Sequence, residues 1–120
     1  MSLQWQRMIG GLSGSFAVGA SAYGAHGLKA TKESYKQTFD TGARLQLLHS
    51  ALLVATPSIC GPQNMRAANL TGALLTIGIT LFSGSCYAVG VTEDRQYGKA
   101  APLGGLTLMA GWLSFCLIRK

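Results

Sequence analysis

The chain of 120 residues alternates between long stretches without Asp, Glu, Lys or Arg and short stretches that carry all of its charge. A hydrocarbon core roughly 30 Å thick needs about 20 mostly apolar residues to be crossed by one α-helix. A helix surrounded by water would instead show a charged face. Four charge-free stretches meet or nearly meet the required length, and they are residues 8–28, 45–65, 67–92 and 100–118.

This pattern predicts an all-α integral membrane protein, with residues 1–120 forming a single domain. We expect a bundle of four transmembrane helices, because each charge-free stretch supplies one span. The predicted spans cover about 8–28, 43–60, 67–91 and 100–118.

Segment 29–44, which joins the first two spans, is expected to form a short amphipathic helix at the membrane interface. Thr31 is placed to cap its start, and Tyr35 and Phe39 lie four residues apart on one helical face. We expect the chain to turn near Gly42 into the second span. A solvated helical linker is the alternative, and the sequence leaves the choice open.

Charge and cysteine content narrow the functional classes. Only 12% of residues are charged, about half the share of an ordinary soluble domain, and the net charge is +6. This composition is not that of a disordered chain, and it argues against a nucleic-acid partner, whose binder needs a basic stripe. The three cysteines include no C-x-x-C pair, which argues against a zinc module or a disulfide scaffold.

Three lysines flank the predicted spans at one end of the bundle. Lys29, Lys32 and Lys99 are placed to attract anionic lipid headgroups. Ordinary flanking charge is the alternative interpretation.

Small residues recur every three or four positions along the first, third and fourth spans. Such stripes remove bulk from one helix face and let helix backbones approach closely. Packing within the bundle is the first interpretation, and docking of a partner helix is the second. The glycines expected at helix contacts are Gly10, Gly14, Gly24, Gly72, Gly84, Gly104 and Gly111.

A polar cluster is expected between the helices, near the end where spans one and two are joined. Metal or haem ligation, a proton relay and a quinone contact are its functional interpretations. No carboxylate or thiolate stands at a ligand spacing beside the histidines, so interhelical hydrogen bonds are favoured. We therefore expect no catalytic residue, no metal site and no cofactor. The cluster comprises Tyr23, His26, Gln46, His49 and Tyr87.

Several short motifs, spread over nearly the whole chain, resemble the transmembrane protein 256 family. They are Ser13-Gly14, Ala22-Tyr23-Gly24-Ala25-His26-Gly27, Leu48-His49-Ser50, Leu81-Phe82-Ser83-Gly84-Ser85 with Tyr87, Ala101-Pro102-Leu103-Gly104-Gly105 and Gly111-Trp112. The resemblance implies a small four-span integral membrane protein, with bacterial inner-membrane members and eukaryotic members that are mitochondrial. It implies no established activity, cofactor or catalytic residue.

The small-residue stripes and the lack of an intramembrane acid–base pair favour a non-enzymatic role. We expect an accessory or structural subunit of a larger complex, in the mitochondrial inner membrane and its respiratory chain. Its expected partners are membrane lipids and other transmembrane subunits. The first alternative is a small oligomeric transporter or channel with a polar path near His26 and His49. The second is a redox or haem protein.

Overall fold

Four long helices form most of the structure, a computed structural model that describes residues 4–29 and 32–118. Three short 3-10 turns follow α2, α3 and α4, and no strand occurs in these two ranges. The predicted all-helical chain with four helices is confirmed. The helices are α1 (Gln4–His26), α2 (Glu33–Cys60), α3 (Met65–Thr92) and α4 (Ala101–Ser114).

The expected break between an interfacial helix and the second span is wrong. The helix α2 continues without interruption from Glu33 to Cys60, and Gly42 lies inside it. A Cβ at Gly42 would lie 2.6 Å from Cys86 Cβ, and the Gly42 carbonyl accepts a hydrogen bond from Ser83 Oγ at 2.7 Å. Gly42 therefore brings α2 close to α3 and does not form a turn. Thr31, the expected cap, lies outside the described residues.

Backbone conformation explains where the two longest helices stop. Gly61 follows α2 with a φ of 76°, which glycine adopts without steric conflict, and its N–H donates to the Pro57 carbonyl at 3.1 Å. Glu93 follows α3 in the left-handed region with a φ of 55°. Its N–H donates to the Val89 carbonyl at 2.8 Å, which satisfies one of the free carbonyls of the last turn.

Consecutive helices run antiparallel and lie side by side in the order α1, α2, α3, α4. Contacts at opposite ends of the first pair show its antiparallel course, since Gly10 of α1 meets Val54 of α2 and Gly24 of α1 meets Phe39 of α2. The start of α1 also reaches α3, where Gln6 Nε2 donates to the Ala68 carbonyl at 2.8 Å. The resulting bundle is elongated and measures 50 × 24 × 18 Å.

The buried apolar residues form two separate clusters along this bundle. One cluster joins α2, α3 and α4 through Leu53, Leu75, Ile79 and Leu108. The other joins α1 and α2 through Ala20, Phe39 and Ala43, with Leu28 and Tyr87 against it. Small residues occupy much of the remaining contact surface, so the helices pack closely with few large core side chains.

The α3–α4 turn is attached to the start of α2 by Arg95. Its guanidinium Nη1 donates to Thr38 Oγ1 at 2.8 Å and its Cζ lies 4.9 Å from the centre of the Tyr35 ring. This cation–π contact and hydrogen bond hold the two connections at the same end of the bundle.

Within residues 4–29 and 32–118, two helical stretches are long and apolar enough, by length and composition, to cross a membrane. They are Pro62–Thr92 and Arg95–Leu117. Glycine and serine are frequent in α1, and α2 begins with charged residues, so both of these helices are less hydrophobic.

Candidate functional site

Gln46 of α2 connects three helices through its side-chain amide. Its Nε2 donates to the Ser13 carbonyl of α1 at 3.0 Å and lies 3.1 Å from Ser13 Oγ. Its Oε1 accepts a short hydrogen bond from the Tyr87 hydroxyl of α3. Gln46 is only 7% exposed, so these protein partners take the place of water for an amide that is costly to bury alone.

Ser50, one turn after Gln46, extends the same network. Its hydroxyl lies 2.7 Å from Ser13 Oγ and 2.5 Å from the Gln46 carbonyl. The polar groups of Ser13, Gln46, Ser50 and Tyr87, which we call the amide network, therefore satisfy one another. This arrangement locks α1 and α3 onto α2.

His49 does not belong to the amide network, because its ring faces α4. Nδ1 lies 2.7 Å from the Leu45 carbonyl, and the Trp112 indole Nε1–H donates to His49 Nε2 at 3.0 Å. A carbonyl only accepts hydrogen bonds, so the neutral ring carries its proton on Nδ1 and its lone pair on Nε2. Both ring nitrogens are occupied by protein groups, which leaves neither for a metal or haem iron.

We expect this tautomer to be visible in the ring ¹⁵N chemical shifts of His49. In the wild-type chain Nδ1 should show the shift of a protonated nitrogen and Nε2 that of an unprotonated one. Trp112→Phe keeps an aromatic ring but removes the N–H donor, so the population of the other tautomer should increase. A wild-type ring protonated on Nε2 would contradict the assignment.

His26 lies apart from the other members of the expected polar cluster. It is exposed at the last residue of α1. Tyr23 is 48% exposed, and its ring stands 5.8 Å from the Phe39 ring. The expectation of one cluster of five residues is therefore wrong. Gln46 bonds to Tyr87 and His49 to Trp112, whereas Tyr23 contacts the Phe39 ring that lies against Tyr87, and His26 is exposed at the end of α1. Helical geometry explains the separation, since Gln46 and His49 point to different neighbouring helices.

Five of the seven predicted packing glycines form close helix contacts. A Cβ at Gly10, Gly24, Gly72, Gly104 or Gly111 would lie 3.0 Å or less from an atom of a neighbouring helix. Gly14 is in looser contact, 3.7 Å from Ser50 Cβ. Gly84 is the exception, because no atom lies within 4 Å of a Cβ placed there.

The three predicted headgroup lysines lie at the end of the bundle that holds the α1–α2 and α3–α4 connections. Lys29 and Lys32 lie in the first connection and Lys99 in the second, and all three are exposed. Their position fits a contact with lipid headgroups.

Sequence patterns missed several residues that matter for packing. Gly42, Gly78 and Gly90 are close helix contacts on α2 and α3, yet they lie outside the stripes. Gln6 is fully buried, and its Oε1 has no hydrogen-bond partner among the described residues. The sequence signal for Gln6 was a polar residue at the start of a glycine-rich helix. In the structure its amide lies over Gly72 of α3.

Two cavities lie along the contact between α1 and α3. The rings of Phe16 and Tyr87, whose centroids are 5.9 Å apart, separate one cavity from the other. The lower groove has a volume of about 310 Å³ and a floor at Gln46; its sides include Ile9, Ser13, Thr76, Thr80 and Gly84. The upper cavity has a volume of about 440 Å³; its lining includes Phe16, Gly19, Ala20, Tyr23, Phe39, Tyr87 and Val91.

Metal-binding groups are scattered in the described parts of the chain. No three His, Cys, Asp or Glu side chains come together there in a way that could hold a metal ion. Cys60 and Cys86 are buried and Cys116 is exposed, and all three are free thiols.

Comparisons with known proteins identify the family. The family described as "Protein of unknown function (DUF423)" matches residues 20–105. The chain belongs to the DUF423 family. A UPF0382 membrane protein of Staphylococcus haemolyticus is 35% identical over 107 residues, which cover 88% of this chain and 87% of the relative. No solved structure matches the chain.

Two further relatives extend the comparison to other bacteria. The UPF0382 membrane protein YwdK of Bacillus subtilis is 32% identical over 108 residues, or 88% of each chain. A UPF0382 membrane protein of Haemophilus influenzae is 34% identical over 104 residues, which cover 86% of this chain and 83% of the relative.

The DUF423 chain is accordingly an integral membrane protein, as its charge-free stretches predicted. The expected likeness to a family of small membrane proteins is confirmed, but the match is to DUF423 and UPF0382 proteins, not specifically to the transmembrane protein 256 family.

Proposed function

We propose that this protein is a non-enzymatic, four-span accessory or structural subunit of a larger membrane complex. All four helices would cross the bilayer, with α1 and α2 compensating for their lower hydropathy by packing against other helices. Close packing of small residues is a main source of helix association in lipid, and the glycine contacts of α1 with α2 and α3 support this role.

The lower groove is the proposed binding site for a helix of a partner subunit. Thr76, Thr80 and Gly84 form a row along α3 at four-residue spacing, and Gly84 has no neighbour within 4 Å of a Cβ. A face of small residues invites close approach by another helix, whereas large apolar side chains cover the outer faces of α1 and α4. A transmembrane helix of another subunit is the proposed occupant.

The hydrogen bonds of the polar residues favour this role over a transport path. Gln46 and His49 are held by Ser13, Tyr87, Leu45 and Trp112. A path between the two histidines has no support, since His26 is exposed at the end of α1 and His49 is buried against α4. The transporter and the haem protein remain predictions from the sequence.

The location in a mitochondrial respiratory complex also remains a prediction. It derives from the resemblance to the transmembrane protein 256 family, and the relatives described above are bacterial. The proposed subunit role is independent of the organelle, because it depends on helix packing within a membrane.

Mild solubilisation of native membranes followed by blue-native electrophoresis tests the proposed subunit role. The wild-type chain should migrate within a larger complex, and Gly84→Leu should release it, because the new side chain fills the lower groove. Gly11→Leu is the matched control, since a Cβ at Gly11 also has no neighbour within 4 Å. Migration of the wild-type chain only as a free monomer would overturn the proposal.

A further inference from the structure

The upper cavity is suited to an apolar ligand. Its volume of about 440 Å³ falls in the range of roughly 300–1,000 Å³ that is typical of small-molecule sites. Four aromatic rings line it, with the Phe39 and Tyr87 rings 4.9 Å apart and the Tyr23 and Phe39 rings 5.8 Å apart. The lining is almost entirely apolar, so the cavity has little to offer a polar ligand.

Gly19 keeps the cavity open on the α1 side. A Cβ at this position would meet no atom within 4 Å, so no close helix contact requires glycine here. Phe16 and Tyr23, one turn to either side, are 60% and 48% exposed. The cavity therefore opens to the surroundings of the bundle, and for a membrane protein those surroundings are lipid.

Positive charge lies at the end of the bundle nearest the cavity. Leu28 packs against the cluster that contains Phe39, which brings Lys29 close to that end. Lys32 lies immediately before α2 in extended backbone. Lys36 precedes Phe39 by three residues, so helical periodicity places it on the same side of α2.

Negative charge is sparser at the same end. Glu33 is the one carboxylate in segment 29–36. From α2, Asp40 lies against Gly24 of α1. Glu93 and Asp94 follow α3 in the α3–α4 connection. Five basic residues lie at this end with the four carboxylates, and they are Lys29, Lys32, Lys36, Arg95 and Lys99. Three of the five belong to segment 29–36, which holds one carboxylate, and this favours an anionic group beside that segment.

We propose that the upper cavity binds one acyl chain of an anionic phospholipid, with its phosphate beside Lys29, Lys32 and Lys36. The aromatic lining and the open position at Gly19 accommodate the hydrocarbon, and the lysines select the headgroup. This site lies on the opposite side of the Phe16–Tyr87 pair from the lower groove. It does not depend on a partner helix, so the two proposals fail separately.

Native mass spectrometry of the full chain tests the site, after reconstitution with equal amounts of phosphatidylglycerol and phosphatidylcholine bearing identical acyl chains. The wild-type chain should retain one lipid, with phosphatidylglycerol several-fold preferred. Gly19→Leu should lose most of this lipid, while Gly11→Leu, the matched control on the same helix, should keep it. Equal retention by these two variants would overturn the cavity site.

A second variant distinguishes recognition of the lipid headgroup from binding of the acyl chain. Combined Lys29→Gln, Lys32→Gln and Lys36→Gln substitutions should leave one bound lipid but bring the ratio of the two headgroups close to one. Equal binding of both lipids by the wild-type chain would refute an anionic ligand.

Photocrosslinking of the wild-type chain gives an answer that does not depend on folding of any variant. Phosphatidylglycerol with a diazirine on one acyl chain should label peptides that contain Phe16, Tyr23 or Val91, which line the cavity. Labelling confined to the exposed outer face of α4 would overturn the proposal.

Discussion

Gly104→Ala should destabilise the bundle, although it adds only one methyl group. Gly104 is buried where α4 crosses α3, and a Cβ there would collide with the Phe82 backbone nitrogen and lie 2.9 Å from the Leu81 carbonyl carbon. Backbone atoms cannot rotate away as a side chain can, so α4 must move outward. Overpacking of this kind costs about 1–3 kcal/mol, and an SDS titration of the unfolding equilibrium in mixed micelles will measure it.

The adjacent glycine provides the control. At Gly105 a Cβ would make ordinary contact, 3.7 Å from Phe82 Cδ2, and alanine is favoured over glycine in a helix by up to about 1 kcal/mol. Gly105→Ala should therefore be neutral or slightly stabilising. Equal free energies of unfolding for the two variants would contradict a close backbone contact between α3 and α4 at Gly104.

Gln46→Leu should destabilise the bundle by separating α1 and α3 from α2. The substitution removes the hydrogen bonds to Ser13 and Tyr87 and leaves the Tyr87 hydroxyl without its acceptor. Interhelical hydrogen bonds in membranes contribute about 0.6 kcal/mol each on average and up to about 1.7 kcal/mol. We therefore expect a loss of about 1–3 kcal/mol in the free energy of unfolding.

A double-mutant cycle with Tyr87→Phe isolates one of these bonds. Tyr87→Phe removes the hydroxyl but keeps the ring against Phe39 and Phe16, so a coupling energy near 1 kcal/mol is expected between the two sites. A cycle of Gln46→Leu with Trp112→Phe should be additive, because Trp112 bonds to His49. Additivity in both cycles would count against the amide network.

The long helices were predictable because absence of charge is a property of each stretch alone. The four charge-free stretches overlap the four helices of the structure. The glycines along α1 and α4 were largely predictable for the same reason, since a stripe on one helix indicates where another backbone can approach. Gly84 fits its stripe equally well, yet it faces the lower groove, because a stripe does not say which neighbour is present.

The continuity of α2 was not predictable from the local sequence. Glycine near a change in polarity is typical of a turn, and only the approach of Cys86 and Ser83 from α3 shows that Gly42 serves a helix contact. The hydrogen-bond partners of the polar residues could not be predicted for a related reason. Gln46 and His49 are three residues apart, but which of them meets α3 and which meets α4 depends on how the bundle is assembled.

Labelling of single cysteines in sealed vesicles tests the proposed four-span arrangement most directly, in a background without the three native cysteines. Lys29→Cys, Gln63→Cys and Lys99→Cys place one thiol in each connection between helices. Four spans require an impermeant maleimide to reach Lys29→Cys and Lys99→Cys from one side and Gln63→Cys from the other. If Lys29→Cys and Gln63→Cys instead react from the same side, α2 does not cross the membrane and the four-span arrangement is wrong.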